Sequence, residues 1–474
     1  MNLPDLGVGV IYLPGLESLI KAGDELLDVV EIEPQTSWFI GDSGYRESVD
    51  FIRLVESMPQ RKLVHGVGFP IGGTCPPDPK ALLPFARTVR RLASPWCSEH
   101  LSFNRVINEG SENATLFLLP PIQSAESVEV AVSNIRSIQG ILPSPFAFET
   151  GVNYLQPHPR ELSDGSFFAA IAEEADCGIL VDLHNLWCNE KNGRQSVWGV
   201  LDELPLERVW EVHLAGGQEV DGYWMDAHSG PVPDALLELA SDIIPTLPNV
   251  HAIVFEIIPE YLTSGQARIA DILATLERIR GMWEDRTHRM PASIQCTALD
   301  TPPMVKMPDN KLPDPRDWEL ALARAVLYGD DADPLGAWIC SDPGTQVISK
   351  VIGQARAGTV ADAMRYTFRL VLLSRGEERL RDLLTTFWRG TPPQLFGARE
   401  SAAFGNHLLE QAADIPYLKE TVALELSLHR AQCEGVEQRV QIGCNPIELL
   451  TVLGEGRLPQ IELTGTYEVI IPAP

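Results

Sequence analysis

The sequence has no run of 18 or more apolar residues, no basic N-terminal region followed by an apolar one, and no CxxC pair of cysteines. The first two absences argue against a membrane span and a secretory signal, and they predict a cytoplasmic protein without a membrane partner. The eight cysteines are scattered, so neither a zinc ribbon nor a disulfide framework is expected. We expect most of these thiols to be reduced and structural.

Positive charge is also scarce. The chain has 37 Lys and Arg against 65 Asp and Glu, which gives a formal net charge of −28. Binding to nucleic-acid phosphates needs clustered Lys and Arg, so no nucleic-acid partner is predicted. The acidic balance suits solubility, a cationic ligand, or carboxylates that bind metal ions.

What the sequence does contain is a repeated strand and helix pattern. Short apolar, β-branched runs occur at 6–13, 26–33, 62–68, 96–103, 145–150, 178–184, 208–216 and 251–257. Amphipathic helical patterns follow them at 15–26, 44–58, 78–93, 124–139, 161–175, 196–204, 233–245 and 265–283. Eight such units predict an α/β fold, a closed (β/α)8 barrel of the TIM type. An open doubly wound sheet is the alternative, but the stretch after the first strand, YLPGLESL, lacks the glycine-rich turn that such sheets usually carry.

The rest of the chain has a different character. Residues 284–317 contain several prolines and no sustained period, so they predict a linker. Helical periodicity then returns at 317–329, 359–376, 377–390, 401–412 and 415–432, and short β-like runs follow. We therefore predict a barrel over 1–283, a linker over 284–317, and a mostly helical domain with a small terminal β element over 318–474.

Histidines and carboxylates mark the ends of the predicted strands. In a barrel these ends surround one mouth, so residues about thirty positions apart in the sequence meet in space. So many carboxylates buried together need cations to neutralise them, and their number exceeds what one tetrahedral zinc would use. Mixed imidazole and carboxylate donors suit iron, manganese or zinc. The predicted metal ligands are His65, His100, Glu149, Asp182, His184, His213, Asp226, His228 and Glu256.

Each member of this set has an ordinary alternative. A strand-end acid is more often a helix cap or a salt-bridge partner, and we favour that interpretation for Glu33. His158 and His251 are interpreted as surface or packing residues. The ordered set as a whole is what indicates a metal site.

Seven motifs carry a family resemblance: HGVGFPIGG (65–73), SEHLSF (98–103), FETGVNYL (148–155), LVDLHNLW (180–187), VHLAGG (212–217), DAHSGPV (226–232) and FEIIPE (255–260). In this order they resemble the multinuclear non-haem iron-dependent oxidative enzymes, a family that includes the iron subunit of methanobactin biosynthesis. The resemblance covers roughly residues 5 to 280.

The resemblance implies two or three non-haem iron ions of mixed Fe(II)/Fe(III) state, with O2 as co-substrate. It implies oxidation of a residue, often a cysteine, in a ribosomally made precursor peptide. Carried over by motif, His65 and His100 would bind one iron with Glu149 bridging. Asp182, His213 and Glu256 would surround a second, and Asp226 with His228 a third or a shared position. Glu149, Asp182 and His184 are the predicted catalytic residues.

One position departs from the family pattern. Where the family commonly has an asparagine, in D-x-N-N, this chain has Asp182, Leu183, His184 and Asn185. His184 is either an added ligand, which we favour, or a group hydrogen-bonded to a metal-bound carboxylate.

The second domain resembles a partner protein of this family. The segment IPYLKETVALELSLHRAQ (415–432) is similar to the Y-L-x-x-x-x-x-L-E-x-x-x-H-R helix of partner subunits. The resemblance implies that this domain binds the leader of the precursor peptide, and strand addition to its terminal strands would suit that role. The alternative is a domain that only stabilises or dimerises the barrel. Trp388, Arg389 and His429 are as compatible with packing or the surface as with function.

Two other functions stay open. The first is a divalent-metal barrel with isomerase or hydrolase chemistry, similar to xylose isomerases or apurinic endonucleases. The second is a module that binds peptide or metal without catalysis. The sequence does not indicate the oligomeric state, the peptide or the modified residue.

Overall fold

The computed structural model describes residues 3–41, 44–108, 110–287, 311–394, 396–463 and 465–473. Their strands are β1 (Gly7–Ile11), β2 (Val29–Ile32), β3 (Trp38–Gly41), β4 (Gly44–Glu47), β5 (Arg61–Gly66), β6 (Cys97–His100), β7 (Phe103–Asn108), β8 (Ser111–Leu119), β9 (Phe146–Glu149), β10 (Gly178–Asp182), β11 (Val209–Ala215), β12 (Gln218–Val220), β13 (Tyr223–Met225), β14 (Ala252–Glu256), β15 (Gln438–Ile442) and β16 (Tyr467–Ile471).

Their helices are α1 (Glu17–Ala22), α2 (Val49–Ser57), α3 (Pro79–Arg91), α4 (Ala125–Gln139), α5 (Asp164–Ala175), α6 (Leu183–Lys191), α7 (Val197–Glu203), α8 (Asp234–Ile243), α9 (Pro259–Thr263), α10 (Ile269–Asp285), α11 (Pro315–Tyr328), α12 (Pro334–Ser341), α13 (Pro343–Ala363), α14 (Arg365–Gly390), α15 (Gly397–Gln411), α16 (Leu418–Glu434) and α17 (Pro446–Gly454).

Eight parallel strands form a closed barrel in the order β1-β14-β11-β10-β9-β6-β5-β2. Each strand lies at one of the eight apolar runs of the sequence, so the predicted (β/α)8 barrel is confirmed. Parallel strands of this kind are covered by helices, and their side chains are therefore mostly buried. The register places Asp182 beside His213 and Ala215 beside Glu256 at the carboxyl ends of the strands.

Three antiparallel hairpins lie at the mouth of the barrel: β3–β4, β7–β8 and β12–β13. They were not predicted. The helix expected over 44–58 is wrong in its first part, because residues 44–47 form β4 and α2 begins only at Val49 behind a Ser48 cap. The sixth barrel strand also ends earlier than expected, at Asp182, whose side chain caps α6 by accepting from Asn185 N. His184 thus lies in the first turn of a helix.

The helices after the predicted linker do not form one separate body. Trp318, Leu322 and Ile348 of α11 and α13 share a buried core with Phe103 and Tyr154 from the loops over the barrel mouth. A second core, from Val360 to Leu453, holds the later helices together. In the described part of the chain, α11–α13 therefore pack as an extension of the barrel mouth, and the later helices form a separate core.

Polar contacts fix this junction. The carboxylate of Glu319 in α11 accepts hydrogen bonds from the backbone N–H and the hydroxyl of Thr74, which follows β5. Trp318 donates to the carbonyl of Pro120 at 3.2 Å, and Gln156 N donates to Asp342 at 2.8 Å. These contacts hold α11–α13 against the mouth.

The terminal β element is confirmed as the hairpin β15–β16. The expected helices 359–376 and 377–390 are parts of α13 and α14, and α14 is kinked at Gly376, where φ is 79°. The helices α12 and α17 were not predicted. Most of the predicted linker, 288–310, lies outside the described residues. In the part that is described, no helix has the length and apolar character needed to cross a membrane.

Candidate metal centre

The mouth of the barrel gathers eight of the nine predicted ligands. His100, Glu149, Asp182 and Glu256 are the last residues of β6, β9, β10 and β14, and His65 is the residue before the end of β5. His213 lies within β11, and Asp226 and His228 follow β13. Asp182 and His213 are fully buried. Carboxyl ends of neighbouring parallel strands necessarily meet at one face, which is why sequence-distant residues converge here.

The first group is formed by two imidazoles around one carboxylate oxygen. Glu149 Oε2 lies 3.0 Å from His65 Nε2 and 2.8 Å from His100 Nδ1. The other nitrogen of His65, Nδ1, lies 2.8 Å from Ser98 Oγ, which fixes the ring. Glu33, His65 and His100 offer ligand atoms that lie within 4.8 Å of one another.

The second group shares Glu149 with the first. Glu149, Asp182 and His213 also offer atoms within 4.8 Å of one another. His213 Nδ1 lies 3.2 Å from Glu256 Oε1. Asn185 donates to the other oxygen of Glu149, at 3.3 Å. Glu149 therefore lies between the two groups of candidate ligands.

The third position is built from the loop after β13. His228 Nε2 lies 2.9 Å from Asp226 Oδ1 and 3.3 Å from Glu256 Oε2. The backbone of His228 has a φ of 46°, in the left-handed region that is uncommon for a residue with a side chain. Glu256 connects this pair to His213, because its two carboxylate oxygens lie near His228 and His213.

His184 is the predicted ligand that the structure places differently. Its Nδ1 is hydrogen-bonded to Asp226 Oδ1 at 3.0 Å, and its Nε2 accepts from the indole N–H of Trp224 at 3.3 Å. Both ring nitrogens are thus occupied by protein groups, and the Nδ1–H tautomer follows from the Trp224 donor. This position favours the alternative role, a histidine that orients a metal-binding carboxylate.

Sequence reasoning missed three acids. Glu31 and Glu211 are fully buried, and His213 Nε2 lies 2.9 Å from Glu31 Oε2 and 3.6 Å from Glu211 Oε1. Glu33, which we interpreted as structural, is grouped with His65 and His100. Strand alternation was the available signal for Glu211, because Glu211 and His213 are two residues apart within β11 and face one side.

Burial and neighbouring carboxylates shift the pKa values of the acids in the site. Burial, and then the charge of Glu149, hold the pKa of Asp182 well above its ordinary value. Burial, and then the charge of Glu211, raise the pKa of Glu31 to about 7. Burial disfavours the charged form of His65, but Glu149 outweighs it and raises the pKa of that imidazole to about 10. Cations among these groups would relieve both the repulsion and the protonation.

Buried donor atoms without partners make the site suited to metal ions. Glu149 Oε2, Asp182 Oδ2, Asn185 Oδ1, both nitrogens of His213 and His228 Nε2 are buried without a hydrogen-bond partner among the described residues. Several of them face another ligand atom at close distance, yet they lack hydrogen-bond geometry. By contrast, the contact of His184 with Asp226 is a hydrogen bond. Lone pairs that converge in this way, on imidazole and carboxylate groups, are a donor set for iron, manganese or zinc.

A cavity of about 210 Å³ opens beside the ligands. His100, Asn185 and Asp226 lie in its wall nearest the ligands, and Phe167, Phe168 and Leu116–Leu118 form much of the rest. We name it the metal-side cavity. Its mixture of apolar walls and a few polar groups is typical of a site for a small or side-chain-sized substrate.

Three comparisons show which known proteins this chain resembles. The model of a family described as "RiPP precursor modification enzyme MbnB/TglH/ChrH" matches residues 7–268. A UPF0276 protein of Streptomyces avermitilis is 31% identical over 251 residues, which are 51% of this chain and 49% of that protein. A UPF0276 protein of Chromobacterium violaceum is 27% identical over 49% of this chain and 84% of its own length. The match thus spans about half of the first relative and most of the second.

Among solved structures, the similar chains cover a little over half of this chain at low sequence identity. D-psicose 3-epimerase of Clostridium cellulolyticum H10, solved with D-tagatose, is 10% identical over 58% of this chain and 99% of that chain, with a TM-score of 0.39. A xylose isomerase-like TIM barrel protein of Mycobacterium smegmatis, solved with magnesium, is 11% identical over 58% and 90% of the two chains, with a TM-score of 0.36.

Proposed function

Because the chain belongs to the MbnB/TglH/ChrH family of RiPP precursor modification enzymes, we propose that it is an iron-dependent, O2-dependent oxidase that modifies a residue, a cysteine by preference, of a ribosomally made precursor peptide. Precursors of this kind are made in the cytoplasm, which is where we expect the enzyme to act. The family is described as modifying RiPP precursor peptides. The metal identity, the oxidant and the target residue are our proposal.

The observation that carries the proposal is the overlap of the ligand groups. Glu149 belongs to both the His65–His100 group and the Asp182–His213 group, and Glu256 lies within reach of both His213 and His228. Shared carboxylates are how proteins hold metal ions close together. Two or three ions therefore fit this mouth. Imidazole and carboxylate ligands without a thiolate suit iron that cycles between two oxidation states.

Each predicted site residue then has a role. His65, His100, Glu149, Asp182, His213, Asp226, His228 and Glu256 would bind the ions, and the missed residue Glu33 would join the first group. Bound iron would supply electrons to O2 and a Lewis-acidic position for a substrate thiolate. His184 would orient Asp226 by its hydrogen bond, and Asn185 would orient Glu149.

The metal-side cavity is where we place the modified residue. His100 and Asp226 contribute polar groups to its wall, so a side chain that enters the cavity meets the ligands directly. Phe167 and Phe168 would exclude water from that side chain. A cysteine side chain is small enough for the cavity of about 210 Å³ and gives the ligand that iron would attract most strongly.

The C-terminal hairpin is where we place the leader of the peptide. β15 and β16 form a two-stranded sheet, so among the described residues each strand has one unpaired edge. Tyr467 and Ile470 on β16 are exposed by 41% and 50%. Exposed edges with apolar side chains suit capture of an extended peptide by strand addition. The junction through α11–α13 would hold that edge at a fixed distance from the metal centre.

The proposal is tested by co-expression of the chain with the small peptides encoded near its gene, followed by mass spectrometry of each peptide. We expect one peptide to change mass in the presence of O2, at a cysteine, and to stay unchanged with the Glu149→Gln variant. Modification without O2, or sustained by zinc or manganese alone, would instead support the isomerase or hydrolase alternative.

A further inference from the structure

The hairpin β7–β8 has a bulge over the barrel mouth. Phe103 pairs with Leu119 and Arg105 pairs with Ala114, so residues 115–118 have no counterparts on β7 and protrude from the ladder. Leu116 in this bulge has a φ of 59°, a left-handed conformation that is unfavourable for a residue with a side chain. Bulges and strained residues of this kind concentrate at functional sites.

The bulge separates two cavities. Leu116, Phe117 and Leu118 line the metal-side cavity, and the same three residues line a second cavity of about 260 Å³. Val67 and Gly68 of the second cavity follow His65 in sequence, and Gln35 follows Glu33 at a distance of two residues. The second cavity is thus lined by sequence neighbours of the first ligand group, and it shares the bulge residues with the metal-side cavity.

The second cavity is lined by three residues whose buried polar atoms lack partners. Trp38 Nε1, Asn104 Oδ1 and both ends of the Gln35 carboxamide are buried and have no hydrogen-bond partner among the described residues. Trp38 and Asn104 are each only 6% exposed. A buried polar group normally has a partner because leaving it unpaired is unfavourable. We name this site the amide cavity, defined by Gln35, Trp38, Asn104 and Phe396.

Apart from Thr36 and Tyr45, the remaining lining residues of the amide cavity are apolar, and none of its described lining residues is charged. An aromatic row forms one wall: Trp38 and Tyr45 have ring centroids 5.5 Å apart, and Tyr45 and Phe396 have centroids 5.7 Å apart. Phe396 lies between α14 and α15 and packs against the barrel core, so both halves of the chain contribute to this wall. The cavity therefore offers hydrogen-bond donors, from Trp38 and Gln35, and acceptors, from Asn104 and Gln35, within an uncharged and largely apolar space.

We propose that the amide cavity binds an uncharged peptide unit with an apolar side chain, from the part of the precursor that adjoins the modified residue. The indole N–H of Trp38 would donate to the carbonyl of that unit, and Asn104 Oδ1 would accept from its N–H. The apolar side chain would pack against the bulge and Phe396. This assignment rests on the proposed peptide substrate, and it adds a site that selects the sequence next to the modified residue.

The test uses the full chain and a minimal probe, N-acetyl-leucine N-methylamide. The ten tryptophans are labelled with nitrogen-15, and the Trp38→Phe variant identifies the Trp38 indole resonance. We expect the probe to shift this resonance saturably and to bind about five-fold more weakly to Asn104→Leu, which loses one hydrogen bond. Gln35→Leu should give a similar loss. Asn249→Leu, at an exposed site on the opposite end of the barrel, is the matched control and should bind like the wild type.

Two comparison probes make the result specific. The methyl ester, which lacks one N–H, should bind more weakly than the methylamide, and an N-acetyl-glutamate methylamide should not bind. The assignment is overturned if the Trp38 resonance does not respond, or if folded Asn104→Leu and Gln35→Leu bind the probe as tightly as Asn249→Leu. Because the probe needs neither iron nor turnover, a failure here leaves the oxidase proposal to its own test.

Discussion

At the scale of single residues, Glu149 connects the site. Its Oε2 lies near both His65 and His100, and the carboxylate also belongs to the group of Asp182 and His213. We predict that Glu149→Gln keeps the barrel folded but loses at least one iron per chain and lowers peptide oxidation by about 100-fold or more, since a neutral amide is a poor bridging ligand. Iron analysis and circular dichroism check the two parts.

The matched control for Glu149→Gln is Glu129→Gln, the same change on the exposed face of α4. It should leave iron content and activity unchanged. Full iron content together with wild-type activity in Glu149→Gln would refute the bridging role.

Two roles of His184 can be distinguished by experiment: a metal ligand, or a residue that positions a ligand. Because it is hydrogen-bonded to Asp226 and Trp224, we predict that His184→Gln weakens metal binding by about ten-fold and still reaches the wild-type metal content at saturation. Asp226→Asn, by contrast, should lose one metal even at saturation. A metal titration followed by elemental analysis distinguishes these results. Loss of one metal at saturation in His184→Gln would make His184 a ligand after all.

The limits of prediction are clear at this scale. Strand-end position was enough to select His65, His100 and Glu256, because the barrel itself brings such positions together. It was not enough for Glu31 and Glu211, which lie one layer deeper within β2 and β11. It also could not distinguish His184 from a ligand, since that depends on Trp224, a residue forty positions away.

At the scale of elements, the barrel strands could be predicted because each is a buried apolar run with a regular spacing. The hairpins β3–β4 and β7–β8 could not, because their side chains are half polar and partly exposed. Their position depends on contacts with the later helices, as in the packing of Phe103 with Trp318. The two cavities of the mouth are bounded by one of these hairpins, so the sequence alone did not indicate them.

The junction of α11 with the barrel is predicted to depend on pH. Burial raises the pKa of Glu319 to about 7, against hydrogen bonds from Thr74 that lower it. An acid with a raised pKa in the folded state stabilises it most below its unfolded pKa, and this contribution is lost as the pH rises through the folded pKa. We therefore expect wild-type stability, relative to Glu319→Gln, to fall by at most about 3 kcal/mol between roughly pH 4.5 and 7. Urea unfolding at several pH values checks the difference, and a parallel pH dependence in both proteins would contradict it.

At the scale of the whole molecule, the chain combines a barrel that carries the candidate metal centre with helices that share a core with it. The sequence indicated two regions and a proline-containing linker, but α11–α13 share a core with the loops of the barrel mouth. Periodicity reports the helices and not the neighbours against which they pack. The leader-binding role is therefore best tested by point substitutions, which leave that shared core intact.

We predict that Ile470→Lys weakens binding of the full-length precursor peptide, with its leader, by about ten-fold. Ile470 is 50% exposed on β16, and a charge there would oppose the docking of an apolar strand. Leu54→Lys is the matched control, because Leu54 is 41% exposed on the barrel helix α2. Fluorescence anisotropy with labelled peptide gives both affinities. Equal affinities of the two variants would remove the hairpin from the leader site.

We propose that the mouth of this barrel holds a multinuclear iron centre, and metal analysis combined with Mössbauer spectroscopy of protein grown on iron-57 tests this proposal. We predict two or three irons per chain, in a mixture of ferrous and ferric states with coupled spins. Stoichiometric zinc or manganese, with iron unable to support peptide modification, would contradict the account.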